Sequence, residues 1–327
     1  MNIVQLPFLH PTPQSEGNTA FPYGVIKGHL GNSLVCWLSG KMINCQFNKK
    51  NTGDLFNISM TDNWAESQGI TYNQNIHLSN AVLLHCKIDV IEMIKTLIEG
   101  NTYVFLLSVN IKFSKTSYPI KDILFYGYND VTQEFSVAAI DASCRLDLYK
   151  FPYTEFATYY QNCNQDILNF ELRTIRTDFA AIPDLNNFEI EFTDYIESRN
   201  SKKPIADGCV YGWSAQNALA DHILSRVGQA FIEDNLYIRR FIEHKQLMEE
   251  RIHGLYALGI GRDEICRLTS YVRQLAEMLN TPQYGDILSS NYAQEMASCI
   301  RAISLIEQHC YSVLLDDILH YTNNLER

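Results

Sequence analysis

Apolar positions follow two different rhythms in the first half of the chain and a single one in the second. Ile88, Val90, Ile91, Ile94, Leu97 and Ile98 recur at helical spacing, and Glu99-Gly100-Asn101 closes the run, which predicts a helix. Tyr103–Val109 is a continuous apolar run of strand length, as expected of a strand covered on both faces. Ile123–Tyr128 and Phe135–Ile140 predict two further strands joined by a turn opening at Asn129-Asp130. Phe170–Thr177 predicts a fourth strand and Phe188–Ser198 a short helix. Upstream, Leu34-Val-Cys-Trp-Leu38 follows a Gly/Asn/Ser cluster, which predicts a helix with its N-terminus near His29–Ser33. Residues 1–20 are polar and interrupted by proline and are expected to form an extended arm. The chain is expected to turn at Phe21–Gly24, and 48–80 to form loops with short strands.

Beyond Pro204 the strand rhythm fades. Ile223, Val227, Phe231, Leu236, Phe241, Leu247, Met248, Ile252 and Leu255 trace a stripe near the 3.6-residue period. Further helices are predicted over Glu264–Leu279 and Ser289–Leu319, separated by Thr281-Pro282 and Gly285. The expected organisation is α+β: an arm at 1–20, a helix-plus-antiparallel-sheet domain at 21–178, a connector at 179–205 and an all-helical domain at 206–327.

Composition narrows the partners. The 327 residues are 46% hydrophobic and 19% charged, with a net charge of −11, which fits a globular chain and offers no basic surface for nucleic acid or an anionic membrane. There is no run of about 18 apolar residues and no secretory signal at the N-terminus, so a cytoplasmic protein is expected. Nine scattered cysteines without a CxxC pair read as reduced thiols, so neither a metal site nor a cofactor is expected.

The segment from Ile94 to Asp141, a helix ending at Glu99-Gly100, the strand Tyr103–Val109, then Lys121–Asn129 and Phe135–Asp141, resembles the papain-like acyltransferases of the butirosin-biosynthesis protein H type. More distantly it is similar to the double-glycine-leader cysteine peptidases. Asp194–Ser198, Tyr211-Gly212 and Phe241–Lys245 look like elements that accompany such domains. The resemblance implies a papain-like fold with a Cys at a helix N-terminus, a His before the strand leading to Gly-Tyr, and an Asp ending the next strand. Such a thiolate attacks a thioester or amide, the imidazole carries the proton, and backbone amides hold the oxyanion. In this chain the His position falls on Lys121 and the Asp position on Asp141, while Leu30 stands near the Cys position with Ser33 and Cys36 as substitutes. A lysine can serve as base if desolvated.

The candidate catalytic residues are therefore His29, Ser33, Cys36, Lys121 and Asp141, with Asn32, Asp122, Tyr126, Tyr128 and His244 as candidate binding residues. Each has a plain structural reading as well: His29 and Ser33 as cap groups, Cys36 as core, Lys121-Asp122 as a solvated strand entrance, Asp141 as the start of a turn, and His244 as a structural histidine. Tyr126 and Tyr128 are expected on opposite faces of their strand, one in the core and the other turned outward to a ligand. Three functions compete: acyl or aminoacyl transfer in specialised-metabolite, nonribosomal-peptide-type assembly; an inactive papain-like binding or scaffold protein of such a complex; and a helical sensor with an accessory α/β domain. The implied partners are an acyl- or peptidyl-carrier protein or a peptide, with a homodimer as the candidate assembly.

Overall fold

In the computed structural model the protein is a mixture of helices and antiparallel sheet. The structure describes residues 2–50, 55–58, 71–106, 109–112, 114, 118–162, 169–175, 184–201, 208–229, 232–260, 266–280 and 287–325. The expected breakers at 281–282 and 285, parts of the 179–205 connector, and residues 107–108, 176–177, 231 and 264–265 of expected elements lie outside the described residues.

In chain order the elements are β1 (Ile3–Gln5), α1 (Gly17–Leu30), α2 (Leu34–Leu38), β2 (Cys45–Asn48), β3 (Phe56–Ile58), β4 (Thr71–Ser79), α3 (Asn80–His85), α4 (Val90–Glu99) and β5 (Thr102–Leu106). There follow β6 (Ile120–Asn129), β7 (Glu134–Asp141), β8 (Leu146–Pro152), α5 (Tyr153–Asn162), β9 (Asn169–Ile175) and α6 (Leu185–Ile196). The last are β10 (Cys209–Tyr211), α7 (Gly212–Ser225), α8 (Ile232–Ala257), α9 (Cys266–Asn280) and α10 (Ser290–Leu325). They form two compact units, one of residues 1–31 with 65–180 and one of 32–64 with 181–327.

The first unit is built on an antiparallel sheet in the order β4-β9-β5-β6-β7-β8. Along one edge of β6, β5 pairs with Ile123–Phe125 and β1 with Gly127–Asn129. Both faces are covered, which is why β6 reads as an almost unbroken apolar run. Phe21 of α1 packs on Phe105 (5.9 Å between ring centroids), while Phe156 of α5 packs on Phe125 and Phe151 of the opposite face (5.1 and 5.5 Å). The amphipathic α4 starts at Asp89, whose carboxylate accepts from the Ile91 and Glu92 N–H groups (2.9 and 3.3 Å), and buries Val90, Ile94 and Ile98.

Several expectations change here. Residues 1–20 are not a free arm, because Ile3–Gln5 forms β1 against β6 and α1 begins at Gly17. Phe21–Gly24 is helical rather than a turn. Pro22 sits within α1, and Gly24 and Gly28 serve close packing: a Cβ there would lie 2.5 Å from the Phe8 ring and 2.7 Å from the Phe8 amide nitrogen. The Leu9 N–H donates to the Gly24 carbonyl (3.0 Å), fastening the N-terminal segment along the helix. The glycines that look like punctuation in the sequence are contact surfaces.

The second unit carries a three-stranded antiparallel sheet, β10-β2-β3, and the helices α6 to α10. Residues 32–64 leave the expected 21–178 domain because β2 hydrogen-bonds to β10, pairing Phe47 with Val210. Since β10 lies within 206–327, that stretch is not helical throughout. Within this unit α10 packs on α6, α7 and α9, and α8 packs on α2, α9 and β3. Among the described residues no helix is long and apolar enough to cross a membrane.

Candidate functional site

A papain-type site requires a helix start facing the mouth of a sheet strand. In the first unit the helix start that meets the start of β6 is the first turn of α1, a full helix length upstream of the helix start expected from the sequence. Here the Asp122 side chain packs directly on Gly17: a Cβ on Gly17 would lie 2.9 Å from both the Asp122 Cβ and Oδ2. Asp122 is 5% exposed, and its carboxylate meets the end of α1 where N–H groups lack helical partners and the dipole is positive. The α1 N-cap residue, Glu16, makes no side-chain cap bond. The junction is therefore a glycine against a buried carboxylate, an arrangement that neutralises a helix end but supplies no nucleophile at that contact.

His29 occupies the last turn of α1, not a helix start, because Gly31 with φ 52° ends the helix after Leu30. The Tyr103 hydroxyl donates its one proton to the Pro7 carbonyl (2.6 Å), so at the 2.9 Å contact with the His29 Nε2 the imidazole is the donor. Nε2 is thereby lost as a general base, and burial lowers the His29 pKa. Through Nε2, His29 ties α1 to β5 and to the N-terminal segment.

Lys121 is exposed and falls at a bulge: Ile120 pairs with Asp141 and Asp122 with Ile140, leaving Lys121 without a partner in β7, while its carbonyl accepts from the Val109 N–H (2.7 Å). It is not desolvated, which a lysine base needs. Asp141 closes the turn into β8: its Oδ1 accepts from the Ser143 N–H (2.8 Å), the Ser143 hydroxyl (2.6 Å) and the Arg145 N–H (3.1 Å). That is the turn role, with all three bonds directed into its own hairpin.

Asn32, Ser33 and Cys36 belong to the second unit, so the catalytic candidates do not fall within one compact body. Asn32 and Ser33 are exposed in a 3-10 turn, and Cys36 lies in the five-residue α2. Burial raises the Cys36 pKa, the opposite of what an activated thiol requires.

Tyr126 and Tyr128 do face opposite sides of the sheet, for a reason the residue spacing does not contain. Side chains two apart in a regular strand share a face, but a bulge between Phe125 and Gly127 shifts the alternation. Neither turns outward. Tyr126 stacks on Phe8 (5.1 Å), and Tyr128 donates to Glu99 beneath the Lys95 ammonium, 5.3 Å from its ring centroid. Lys95 also pairs with Asp130 (2.9 Å). At these two positions the sheet is covered on both faces, so neither tyrosine turns outward to a ligand.

His244 is fully inaccessible in the second unit, so it lines no cleft. Its Nε2 donates to the Ile43 carbonyl (2.6 Å), and its pKa is held well below the ordinary imidazole value by burial and then by the Lys245 charge. Beside it lies a polar cluster that sequence reading passed over. Lys245 Nζ and Glu307 Oε2 are 2.8 Å apart, with neither side chain exposed. The Tyr195 hydroxyl donates to the same carboxylate oxygen (2.6 Å), Gln216 Nε2 donates to it (2.8 Å), and the Tyr311 hydroxyl donates to Oε1 (3.1 Å). The one signal in the sequence was a lysine and a glutamate at apolar positions of two helical stripes. No family model matches the chain. None of the curated proteins matches it either.

The two histidines set a pH dependence. Both are held neutral in the folded chain, whereas an unfolded imidazole titrates near ~6.5. Their contribution is fully present above that value and is lost as pH falls below it, because the unfolded chain takes up protons first. Both described tryptophans, Trp37 and Trp213, lie in the second unit, so their fluorescence follows that unit. The urea midpoint read this way is expected to fall between pH 7 and pH 5, and His244→Gln, which keeps a donor for Ile43, is expected to flatten the fall. An equally steep fall in the variant would contradict the assignment.

Proposed function

We propose that this chain is a papain-like binding or scaffold protein of a specialised-metabolite or peptide-processing complex, and that it does not itself catalyse acyl transfer. The observation that carries the reading is the α1–β6 junction, where the helix start that meets the strand does so through Gly17 packed on the Asp122 carboxylate, with no thiol at that contact. Support comes from the sheet as well: Lys121 and Asp141 occupy the positions the resemblance assigns to His and Asp, yet one is solvated and the other is spent on its own hairpin. His29, whose Nε2 donates to Tyr103, offers no base at that nitrogen. An acyl group brought to this junction meets a carboxylate and backbone amides, with no thiolate to accept it.

The partner this reading implies is an acyl- or peptidyl-carrier protein or a peptide, held through the exposed mouth of β6 around Lys121. The test has two arms. Incubated with a thiol- and hydroxyl-directed acyl probe, the protein is expected to show no saturable modification at Ser33 or Cys36, and no turnover of carrier-bound thioesters. Titrated with carrier proteins and substrate peptides, it is expected to bind, and Lys121→Ala is expected to weaken binding without altering the circular dichroism spectrum. Saturable single-site labelling with thioester turnover would overturn the reading in favour of an acyltransferase, and unchanged binding by Lys121→Ala would remove the β6 mouth as the contact.

A further inference from the structure

The solvent-facing stripe of α7 and the adjoining end of β2 line an open hollow of about 500 Å³ in the second unit, within the range of small-molecule sites. Ser214, Asn217, Asp221 and His222 recur at helical spacing along its floor, and Phe47 of β2 and Lys49 just beyond that strand form its wall. The Phe47 and His222 rings lie 5.8 Å apart, giving the wall an aromatic surface.

Charge decides what this hollow can hold. Among the described lining residues Asp221 is the only carboxylate, and it is already paired with Arg301 at 2.6 Å. The Ser225 hydroxyl, also on the lining, is spent on the His222 carbonyl (2.6 Å). The Lys49 ammonium forms no ion pair among the described residues, and neither the Asn217 amide nor the Ser214 hydroxyl is engaged by a neighbouring side chain there. What remains open is one cation, an amide and a hydroxyl beside an aromatic wall, on a protein whose net charge is −11. Locally the hollow is cationic where the molecule is anionic, so it selects against organic cations and for a single negative charge.

We propose that this hollow is a binding site for a small organic carboxylate with a flat, apolar body. The carboxylate meets Lys49 and is completed by the amide and hydroxyl donors of Asn217 and Ser214, while the flat body lies against Phe47 and His222. The site is confined to residues of the second unit and does not depend on the function proposed for the α1–β6 junction.

The test uses benzoate and benzylammonium, which share a ring and differ in charge, with the full chain observed by saturation-transfer NMR. Benzoate is expected to bind saturably with a dissociation constant on the order of 1 mM, the scale for a ligand of this size. Benzylammonium is expected not to bind. Lys49→Met, at an exposed position, is expected to weaken benzoate at least about tenfold. Asn217→Asp, which adds a carboxylate to the floor, is expected to do the same by repulsion and covers the case in which the first variant misfolds. Absent saturation by about 20 mM benzoate, equal binding of the two probes, or benzoate binding unchanged in both variants would each overturn the proposal.

Discussion

Replacing Glu307 by alanine is expected to destabilise the second unit by about 3–5 kcal/mol, because it leaves the Lys245 ammonium buried without its counter-charge. The carboxylate gathers donors from four helices: Tyr195 of α6, Gln216 of α7, Lys245 of α8 and Tyr311 of α10 itself. Lys245 also donates to the Tyr195 hydroxyl (2.7 Å), so the truncation breaks a connected network, not a single bond. The effect belongs to the stranded charge more than to the pair itself. The double variant Lys245→Met with Glu307→Leu is accordingly expected to recover only part of the loss, since it removes the stranded charge but leaves the Tyr195, Gln216 and Tyr311 donors without the carboxylate. Urea unfolding followed by tryptophan fluorescence reads both variants. A single variant that loses less than about 1 kcal/mol would mean that water reaches the cluster and pays part of the solvation.

Gly212→Ala is expected to cost the same unit about 2–4 kcal/mol. Gly212 opens α7 with φ 52°, where an L-residue carries a penalty of about 1 kcal/mol. Its Cβ would also lie 2.0 Å from the Tyr195 carbonyl oxygen, a backbone atom with no rotamer to give, which adds about 1–3 kcal/mol. The backbone cannot simply back away. The Gly212 N–H donates to Asn44 Oδ1 (3.1 Å), and Asn44 is itself fixed by the Cys45 N–H (2.9 Å) and by donation to the Arg199 carbonyl (2.8 Å). Gly228→Ala is the control: φ is 80° there, but nothing lies within 4 Å of the added methyl, so only the conformational part of about 1 kcal/mol is expected. Equal losses at the two glycines, read by the same denaturation, would show that the close approach to Tyr195 relaxes at no cost.

How far the sequence could be read depended on whether the deciding forces were local. The α4 helix was legible from its apolar period, and β5, β6 and β7 from their apolar runs. The β6–β7 turn was legible at Asn129, whose side chain accepts from the Val131 and Thr132 N–H groups (2.8 and 3.3 Å). In each case the sequence within a few residues carries the cause. α1 was illegible because its glycines and Pro22 imitate punctuation, while their purpose is contact with a segment near Phe8. β1 was too short to signal itself and exists because β6 offers it an edge.

The candidate site fared as its chemistry was local or long-range. The chain by itself determined the antiparallel sheet with its packed helices and the acidic charge, since these follow from period, composition and neighbours in sequence. Only the tertiary structure decided that residues 32–64 join the second unit, that Asp122 meets a glycine at the start of α1, and that Lys245 finds Glu307 at a separation of 62 positions. Those outcomes rest on pairing and burial between distant segments, and a residue's partner at such range leaves no mark on its own neighbourhood in the sequence.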